Sequence, residues 1–231
     1  MSWQPIIDGF NEAVHLIVTG DSQVVEITFR SLQTSGYATL LAAIVGLPIG
    51  VLIGMRNFRG KRIVKILFNA AVGIPTVSLG LFLYVLCSRS GPLGLLDLLY
   101  TIPGMAIGEA ILIIPIVVTF VTSAVEAKEA NVRDLVKTLG ASELDASFAV
   151  IREAWSGISL ALVSSFNRAF AELGIAMMIG ANIRGITRVL TTTIALQTAM
   201  GDIGLSFALS IILLIVVLTL NLVVGLLKRE S

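Results

Sequence analysis

The chain has 231 residues, of which 56% are hydrophobic and only 13% are charged. Soluble domains average roughly 45–50% apolar and about 25% charged residues, so this composition excludes an ordinary water-soluble protein. The 16 basic and 15 acidic residues nearly cancel, so the net charge by itself indicates no particular partner.

The first predicted element is a helix within residues 1–20. Four apolar residues recur on one side of it at helical spacing: Ile6, Phe10, Val14 and Ile17. Asp8 and Glu12 interrupt the apolar stretch and no basic region precedes it, so we do not expect a cleavable signal peptide. The segment is interpreted as an N-terminal interfacial helix at the membrane surface.

Five apolar runs are long enough to cross a hydrocarbon core of about 30 Å, which takes about 20 helical residues. They cover residues 32–55, 66–88, 103–125, 155–180 and 203–227. Backbone polar groups in hydrocarbon must pair internally, so each run is predicted to be helical. We therefore expect an all-α membrane protein, a single transmembrane domain over residues 1–231 with about five transmembrane helices.

Small residues and prolines mark positions inside these runs. Gly46, Gly50 and Gly54 recur every four residues in the first run and predict close packing against another helix. A proline inside a helix lacks a backbone N–H and can kink the helix. Three of the runs contain such a proline: Pro48, Pro75 and Pro115.

The basic residues are distributed unevenly among the predicted loops. Eleven of them fall on one side, in two loops and at the C-terminus: Arg56, Arg59, Lys61, Arg62, Lys65, Lys128, Arg133, Lys137, Arg152, Lys228 and Arg229. The opposite side has only four: Arg30, Arg89, Arg184 and Arg188. Because cytoplasmic loops are enriched in Lys and Arg, we expect the N-terminus outside and the C-terminus inside. This orientation requires an odd number of spans, and five satisfies it.

Three charged residues fall inside apolar runs. Arg168 lies near the predicted middle of the fourth run, where an unpaired arginine costs at least about 2.5–3.5 kcal/mol. Glu172 follows four residues later and would share its helical face, and Glu109 in the third run is a second candidate partner. Two interpretations stay open: a structural ion pair that holds the span against its neighbours, and a direct part in an anion pathway.

Residues 126–153, between the third and fourth runs, are polar and too numerous for a simple turn. Apolar residues recur in them at helical spacing on both sides of a glycine: Val132, Leu135, Val136 and Leu139, then Leu144, Phe148 and Ile151. Gly140 suits a left-handed C-cap, and Ser142 with Asp145 suits a capping box. We predict two short amphipathic helices joined at a Gly140–Ala141 corner. The corner either docks into a groove on another protein or folds back on the helix ends as an ordinary loop.

The outer loop after the fourth run offers candidates for anion contact. Arg184 and Arg188 flank a turn, and Thr191, Thr192 and Thr193 supply hydroxyl groups of the kind that bind small oxyanions. The same two arginines could equally form a rim on which another protein docks.

The chain has no phosphate-binding loop of the form Gly-x-x-x-x-Gly-Lys-Ser/Thr, so ATP binding of the usual kind is not expected. Metal-ligand spacing of Cys and His and a nucleophile elbow are also missing. We therefore expect a protein that is not an enzyme, with no cofactor and no nucleic-acid partner. Two alternatives are a secondary transporter that uses Glu109, Arg168 and Glu172 as ion-coupling groups, and a membrane scaffold.

Within the polar segment, Asp134-Leu135-Val136 is followed by three residues and then by Gly140-Ala141-Ser142. This pattern resembles the cytoplasmic loop of ABC importer permeases, which has Glu-Ala-Ala, three residues, then Gly. Gly140 and Ala141 align well, whereas Asp134-Leu135-Val136 replaces Glu-Ala-Ala. The resemblance implies coupling to an ATPase through Asp134, Leu135, Leu139, Gly140, Ala141 and Ser142.

Four further motifs are Ile74-Pro75-Thr76 with Gly80, Ser88-Arg89-Ser90-Gly91-Pro92-Leu93-Gly94, Arg168-Ala169-Phe170-Ala171-Glu172-Leu173-Gly174, and residues 188–196. Together they resemble the permeases of tungstate importers, over the range from about residue 34 to residue 227. The Arg-x-x-x-Glu-x-Gly element is shared with molybdate and sulfate permeases, whereas residues 188–196 are the more specific signal for tungstate permeases. The candidates for a substrate path or gate are Thr76, Arg168, Glu172, Arg184, Arg188, Thr191, Thr192 and Thr193.

The resemblance implies the type I fold of ABC importer permeases, as in molybdate and methionine permeases. It implies import of tungstate, with molybdate or sulfate as the alternative cargo, across the cytoplasmic membrane of a bacterium or archaeon. The implied partners are a second copy of the chain, two cytoplasmic ATP-binding subunits and an extracytoplasmic oxyanion-binding protein, in the lipid bilayer.

Overall fold

The computed structural model describes residues 3–227, without the side chains of Pro5, Val223, Val224, Leu226 and Leu227. Lys228 and Arg229, counted above among the cytoplasmic cations, lie outside this range. The described chain forms ten α-helices: α1 Gln4–Thr19, α2 Ser22–Met55, α3 Lys61–Val72, α4 Thr76–Cys87, α5 Ile102–Thr138, α6 Glu143–Glu153, α7 Trp155–Phe170, α8 Gly174–Gly180, α9 Leu190–Ala199 and α10 Ile203–Leu227. A short 3-10 turn, Gly94–Leu96, precedes α5.

Two compact units make up the chain. The first takes the residues up to 37, then 75–109, then those from 170 onward; the second takes residues 38–74 and 110–169. Three described helices are each long and apolar enough to cross a membrane: α2, α5 and α10. Two bent pairs, α3 with α4 and α6 with α7, bring the number of spans to at most five. The all-helical prediction with about five spans agrees with this architecture.

In the first unit, α1 packs against α10. A Cβ atom at Gly9 would lie 2.7 Å from Cδ1 of Phe207, so only glycine allows this close approach, and Ala13 beside it is buried. The four apolar residues predicted on one side of α1 are all exposed: Ile6, Phe10, Val14 and Ile17. An exposed apolar face fits contact with lipid, and the interfacial location of α1 stays a prediction.

Helix α2 begins well before the predicted first span, which was placed at residues 32–55. Arg30, assigned above to an outer loop, therefore lies inside a helix and is buried. Its guanidinium forms an ion pair with Glu26 one turn earlier and donates a hydrogen bond to the backbone oxygen of Arg188 at 3.1 Å. The predicted span started too late because these two partnered charges lie within the helix.

In the second unit, the glycine stripe of α2 lies against α5. Cβ atoms at Gly46, Gly50 and Gly54 would each come within 2.7–2.8 Å of valine side chains of α5. The close approach also lets the Thr122 hydroxyl donate to the backbone oxygen of Gly50 at 3.2 Å. The prediction that this stripe serves helix packing is confirmed.

The predicted second span is two helices rather than one. Between α3 and α4 the backbone of Pro75 is extended, with ψ of 122°. Proline has no N–H to donate and disfavours a helical conformation at the preceding Ile74, so the helix is interrupted here. Each helix has 12 residues, about 18 Å, and neither is long enough alone for a hydrocarbon core of about 30 Å.

Helix α5 does not stop at the predicted end of the third span, residue 125. It continues without a break for 37 residues, about 55 Å, to Thr138. The first of the two short helices predicted within 126–153 is therefore the end of α5, and only α6 is separate. No glycine or proline occurs between Pro115 and Gly140, so nothing local interrupts the helix.

The predicted fourth span, residues 155–180, is also interrupted. Helix α7 ends at Phe170 and a separate helix, α8, begins at Gly174. Arg168 lies in the last turn of α7, whereas Glu172 lies beyond the helix end. The expectation that these two residues share one helical face is therefore wrong.

Candidate functional site

The corner between α5 and α6 has the backbone that the sequence predicted. Gly140 has φ of +85°, in the left-handed region that favours glycine. Its N–H donates to the backbone oxygen of Lys137 at 3.0 Å, and the N–H of Ala141 donates to that of Val136 at 3.1 Å, which satisfies carbonyl groups at the end of α5. Ser142 caps α6 in a reciprocal capping box with Asp145. These bonds fix the direction in which α6 leaves α5.

Ion pairs hold the beginning of α6 against the end of α5. Arg133 pairs with Glu129 at 2.6 Å and with Glu143 at 2.7 Å, and Lys137 also pairs with Glu143. The hydrogen bond from Lys137, together with the charges of Lys137 and Arg133, holds the pKa of Glu143 below its ordinary value although partial desolvation acts the other way. The carboxylate therefore stays ionised at neutral pH and can keep both pairs.

Large apolar side chains project from this corner. Four of them are at least 62% exposed: Leu135, Leu139, Leu144 and Phe148. Leu144 also lines a groove of about 670 Å³ formed by the ends of α2 and α5 and the beginning of α6. Several large exposed apolar side chains at one helical corner, next to fixed charges, suit a protein interaction site.

A second group of predicted residues meets at the start of α8, in the first unit. A Cβ atom at Gly174 would lie 2.8 Å from the Thr76 hydroxyl oxygen, so glycine allows the beginnings of α4 and α8 to touch. The Glu172 carboxylate accepts a hydrogen bond from the N–H of Ile175 at 3.2 Å, and its backbone oxygen accepts one from the Thr191 hydroxyl at 2.8 Å. Glu172 thus satisfies backbone groups at the helix break.

The other two threonines of the run also bond within the protein. Thr192 and Thr193 are buried, and their hydroxyls donate to the backbone oxygen of Val189 at 3.0 and 2.7 Å. The Thr192 hydroxyl also lies 2.9 Å from the amide oxygen of Asn182 and accepts from the N–H of Val189. In this arrangement the three hydroxyls shape the start of α9 rather than projecting as donors.

The two predicted outer arginines lie in the same unit. Arg184 is exposed and donates to the amide oxygen of Gln23 at 3.3 Å. Arg188 is half-buried, and its Nε atom is buried without a hydrogen-bond partner among the described residues. Glu109 of the same unit is buried, hydrogen-bonded to Ser35 and close enough to Glu172 for the two carboxyl groups to interact.

Residues 46–230 match the sequence profile of the family described as binding-protein-dependent transport system inner membrane components. The match covers well over half of the chain. The chain belongs to this family.

Three related proteins place this transport component more narrowly. It is 37% identical to the tungstate uptake system permease protein TupB of Peptoclostridium acidaminophilum, over 97% of this chain and 99% of that protein. It is 34% identical to the protein of the same name from Campylobacter jejuni, over 97% of this chain and 94% of that protein. It is 38% identical to a probable anion ABC transporter permease of Haloferax volcanii, over 86% and 88% of the two chains.

Among solved structures, the chain is similar to the methionine ABC transporter MetNI in inward-facing conformations. The TM-score is 0.71 and the alignment covers 90% of this chain and 95% of that chain, at 16% sequence identity. At this identity the likeness concerns the fold, and it agrees with the expected fold of an ABC importer permease.

Sequence reasoning missed one basic residue near the outer candidates of this permease. Arg30 was assigned to a loop, yet its guanidinium reaches the backbone of Arg188, which is 158 positions away in the chain. No local pattern shows a contact at such a separation. The only signal was the Glu26 to Arg30 spacing, which suits an ion pair along one helical face.

Proposed function

We propose that this permease carries tungstate into the cytoplasm as the membrane channel of an ABC importer. The observation that carries the proposal is the near full-length identity to tungstate uptake permeases from two organisms. A probable anion permease at similar identity supports an anionic cargo. Molybdate and sulfate are the next candidates, because molybdate and sulfate permeases match the chain at lower identity.

The permease itself should separate tungstate from molybdate poorly. The two anions share charge and nearly share size, and apolar spans with few polar groups offer little that differs between them. Selectivity then resides in an extracytoplasmic binding protein that delivers the anion. A tight site inside the permease would retain the ion instead of releasing it.

Energy for import comes from partner subunits. The chain has no phosphate-binding loop. Its membership of the transport family supports an assembly in which two cytoplasmic ATPase subunits hydrolyse ATP and two permease copies form the channel. In this arrangement the N-terminus lies outside and the C-terminus inside, as the excess of basic residues on one side of the membrane requires.

The coupling element of this assembly is the corner formed by the end of α5 and by α6. Its support is the exposed apolar surface, in particular Leu139 and Phe148 at 80% and 76% exposure, on a backbone fixed by Gly140 and the Ser142 cap. A rigid helix pair that presents apolar side chains suits docking into a groove of an ATPase. Asp134, Leu135 and Ala141 complete the docking surface.

The outer arginines, Arg184 and Arg188, act where the anion enters. The threonine run and Glu172 shape the path by fixing the helix break and the start of α9, and Thr76 lines it at the beginning of α4. Arg168, in the last turn of α7, is a further candidate for the substrate path.

Uptake by the reconstituted importer tests the proposed function. Proteoliposomes with the permease, its ATPase and its binding protein should accumulate tungstate only with ATP inside, and molybdate should compete. Phosphate, sulfate and an organic solute serve as comparison cargoes. Accumulation of phosphate alone, or of the organic solute, contradicts the tungstate assignment and leaves an importer of another cargo.

A further inference from the structure

The outer turn of residues 181–189 carries positive charge that the chain does not neutralise. Among the described residues, no carboxylate forms an ion pair with Arg184 or Arg188. The Nε atom of Arg188 is buried and has no hydrogen-bond partner among the described residues. The two terminal nitrogens of the same guanidinium do not combine burial with a missing partner. Partial burial of a guanidinium without a counter-charge is unfavourable, and a bound anion would offset this cost.

Arg30 adds a further positive charge beside this turn. Its buried guanidinium donates to the backbone oxygen of Arg188 at 3.1 Å, so the charge lies directly under the turn. The one carboxylate paired with it, Glu26, is 57% exposed and is therefore screened by solvent. Of the three arginines, only Arg30 has a carboxylate partner among the described residues, so Arg184 and Arg188 are the cations available to an anion at this turn.

Hydrogen bonds that do not involve the arginine side chains fix the backbone of the turn. The Thr187 hydroxyl accepts from the N–H of Ile183 at 3.0 Å and donates to the backbone oxygen of Gly180. The Ser31 hydroxyl accepts from the N–H of Leu190 at 2.8 Å. A site whose backbone is fixed before the ligand arrives loses less conformational entropy on binding. The ten-residue helix α9 starts directly after this turn, and its dipole adds to the favourable potential.

We propose that Arg188, with Arg30 and Arg184 beside it, binds a tetrahedral oxyanion at the outer mouth of the permease. A planar guanidinium presents paired N–H groups that match two oxygens of such an anion. The ligand has two possible sources, the cargo anion after its release from the binding protein or the phosphate of an anionic lipid headgroup. The cargo source rests on the proposed function, whereas the oxyanion site itself does not.

Direct binding to the purified permease–ATPase complex in nanodiscs tests this site without the binding protein. Radiolabelled molybdate is the probe, with unlabelled tungstate and sulfate as competitors, in phosphatidylcholine nanodiscs. The test variant is Arg188→Gln, which removes the charge but keeps the backbone oxygen that Arg30 uses. Arg188→Lys keeps the charge, and Arg89→Gln removes an exposed outer arginine elsewhere in the same unit. Loss of a charge-assisted contact should weaken binding at least about tenfold.

The expected result is saturable binding that Arg188→Gln weakens about tenfold or more, Arg188→Lys partly restores and Arg89→Gln leaves unchanged. The lipid source is tested by native mass spectrometry in nanodiscs that contain phosphatidylglycerol. Arg188-dependent retention of that lipid, without oxyanion binding, supports the site with a headgroup as its ligand. Equal oxyanion binding and equal lipid retention in all variants overturn the proposal. Failed tungstate uptake with intact Arg188-dependent binding would instead count against the proposed function alone.

Discussion

Replacing Gly140 tests whether the corner between α5 and α6 couples the permease to its ATPase. The residue has φ of +85°, and a Cβ atom added there would meet nothing within 4 Å. The cost of Gly140→Val is therefore conformational and not steric. A left-handed L-residue costs about 1–2 kcal/mol, and β-branching adds to it. Since each 1.4 kcal/mol is about tenfold in population, the native corner should become about tenfold rarer or more.

Two further variants separate the corner from general effects of backbone strain. Gly140→Asn places a residue that tolerates the left-handed conformation at the same position, and it should keep much of the coupling. Gly60→Val introduces the same strain in another loop of the predicted cytoplasmic side, because Gly60 has φ of +93° and a Cβ atom added there would also meet nothing within 4 Å. That variant should leave coupling intact.

The assay is ATP hydrolysis by the reconstituted complex, with and without loaded binding protein, together with copurification of the ATPase. Gly140→Val should lose most of the stimulation by loaded binding protein or most of the bound ATPase. The rest of the permease should stay folded, because the exposed corner can relieve the strain by a local change of conformation. Wild-type stimulation and uptake in Gly140→Val, at normal expression, would refute the assignment of the corner as the coupling element.

Three other substitutions probe packing, the helix break and the docking surface. Gly50→Ala places a Cβ 2.8 Å from Val121, so we expect the free energy of unfolding to fall by about 1–3 kcal/mol and the Tm to fall with it. Adding Val121→Ala should restore part of this loss. Gly36→Ala should cause no loss, because a Cβ atom there would meet no atom within 4 Å. Glu172→Ala removes the hydrogen-bond acceptor at the start of α8, which should cost about 1 kcal/mol of stability and lower the abundance of the permease. Glu172→Gln keeps an acceptor oxygen and should keep a higher abundance. Equal abundance of the two variants would contradict this role. Phe148→Asp should abolish ATPase copurification without lowering the Tm of the permease, since the ring is 76% exposed; retained copurification would argue against docking there.

Local signals in the sequence predicted the parts of the structure that depend on neighbouring residues. The left-handed turn at Gly140 and the cap at Ser142 follow from residue types within one helical turn, and both are present. The helix break before Gly174 could not be predicted in this way, because no proline lies there and a single glycine is a weak signal. The bond between Arg30 and the backbone of Arg188 joins residues far apart in the chain, and no pattern in one sequence encodes such a contact.

The break between α7 and α8 bears on how the permease handles its cargo. Backbone groups freed within a membrane segment need partners, and here Glu172 accepts from the N–H of Ile175 while Thr191 donates to the backbone oxygen of Glu172. The Glu172 carboxylate and the Thr191 hydroxyl are thereby engaged with the protein's own backbone. On the proposed function, these two engaged groups would not hold a desolvated dianion, and the cargo would bind weakly at the break. Weak binding at the break would favour release of the cargo, which is what the proposed function requires of this passage.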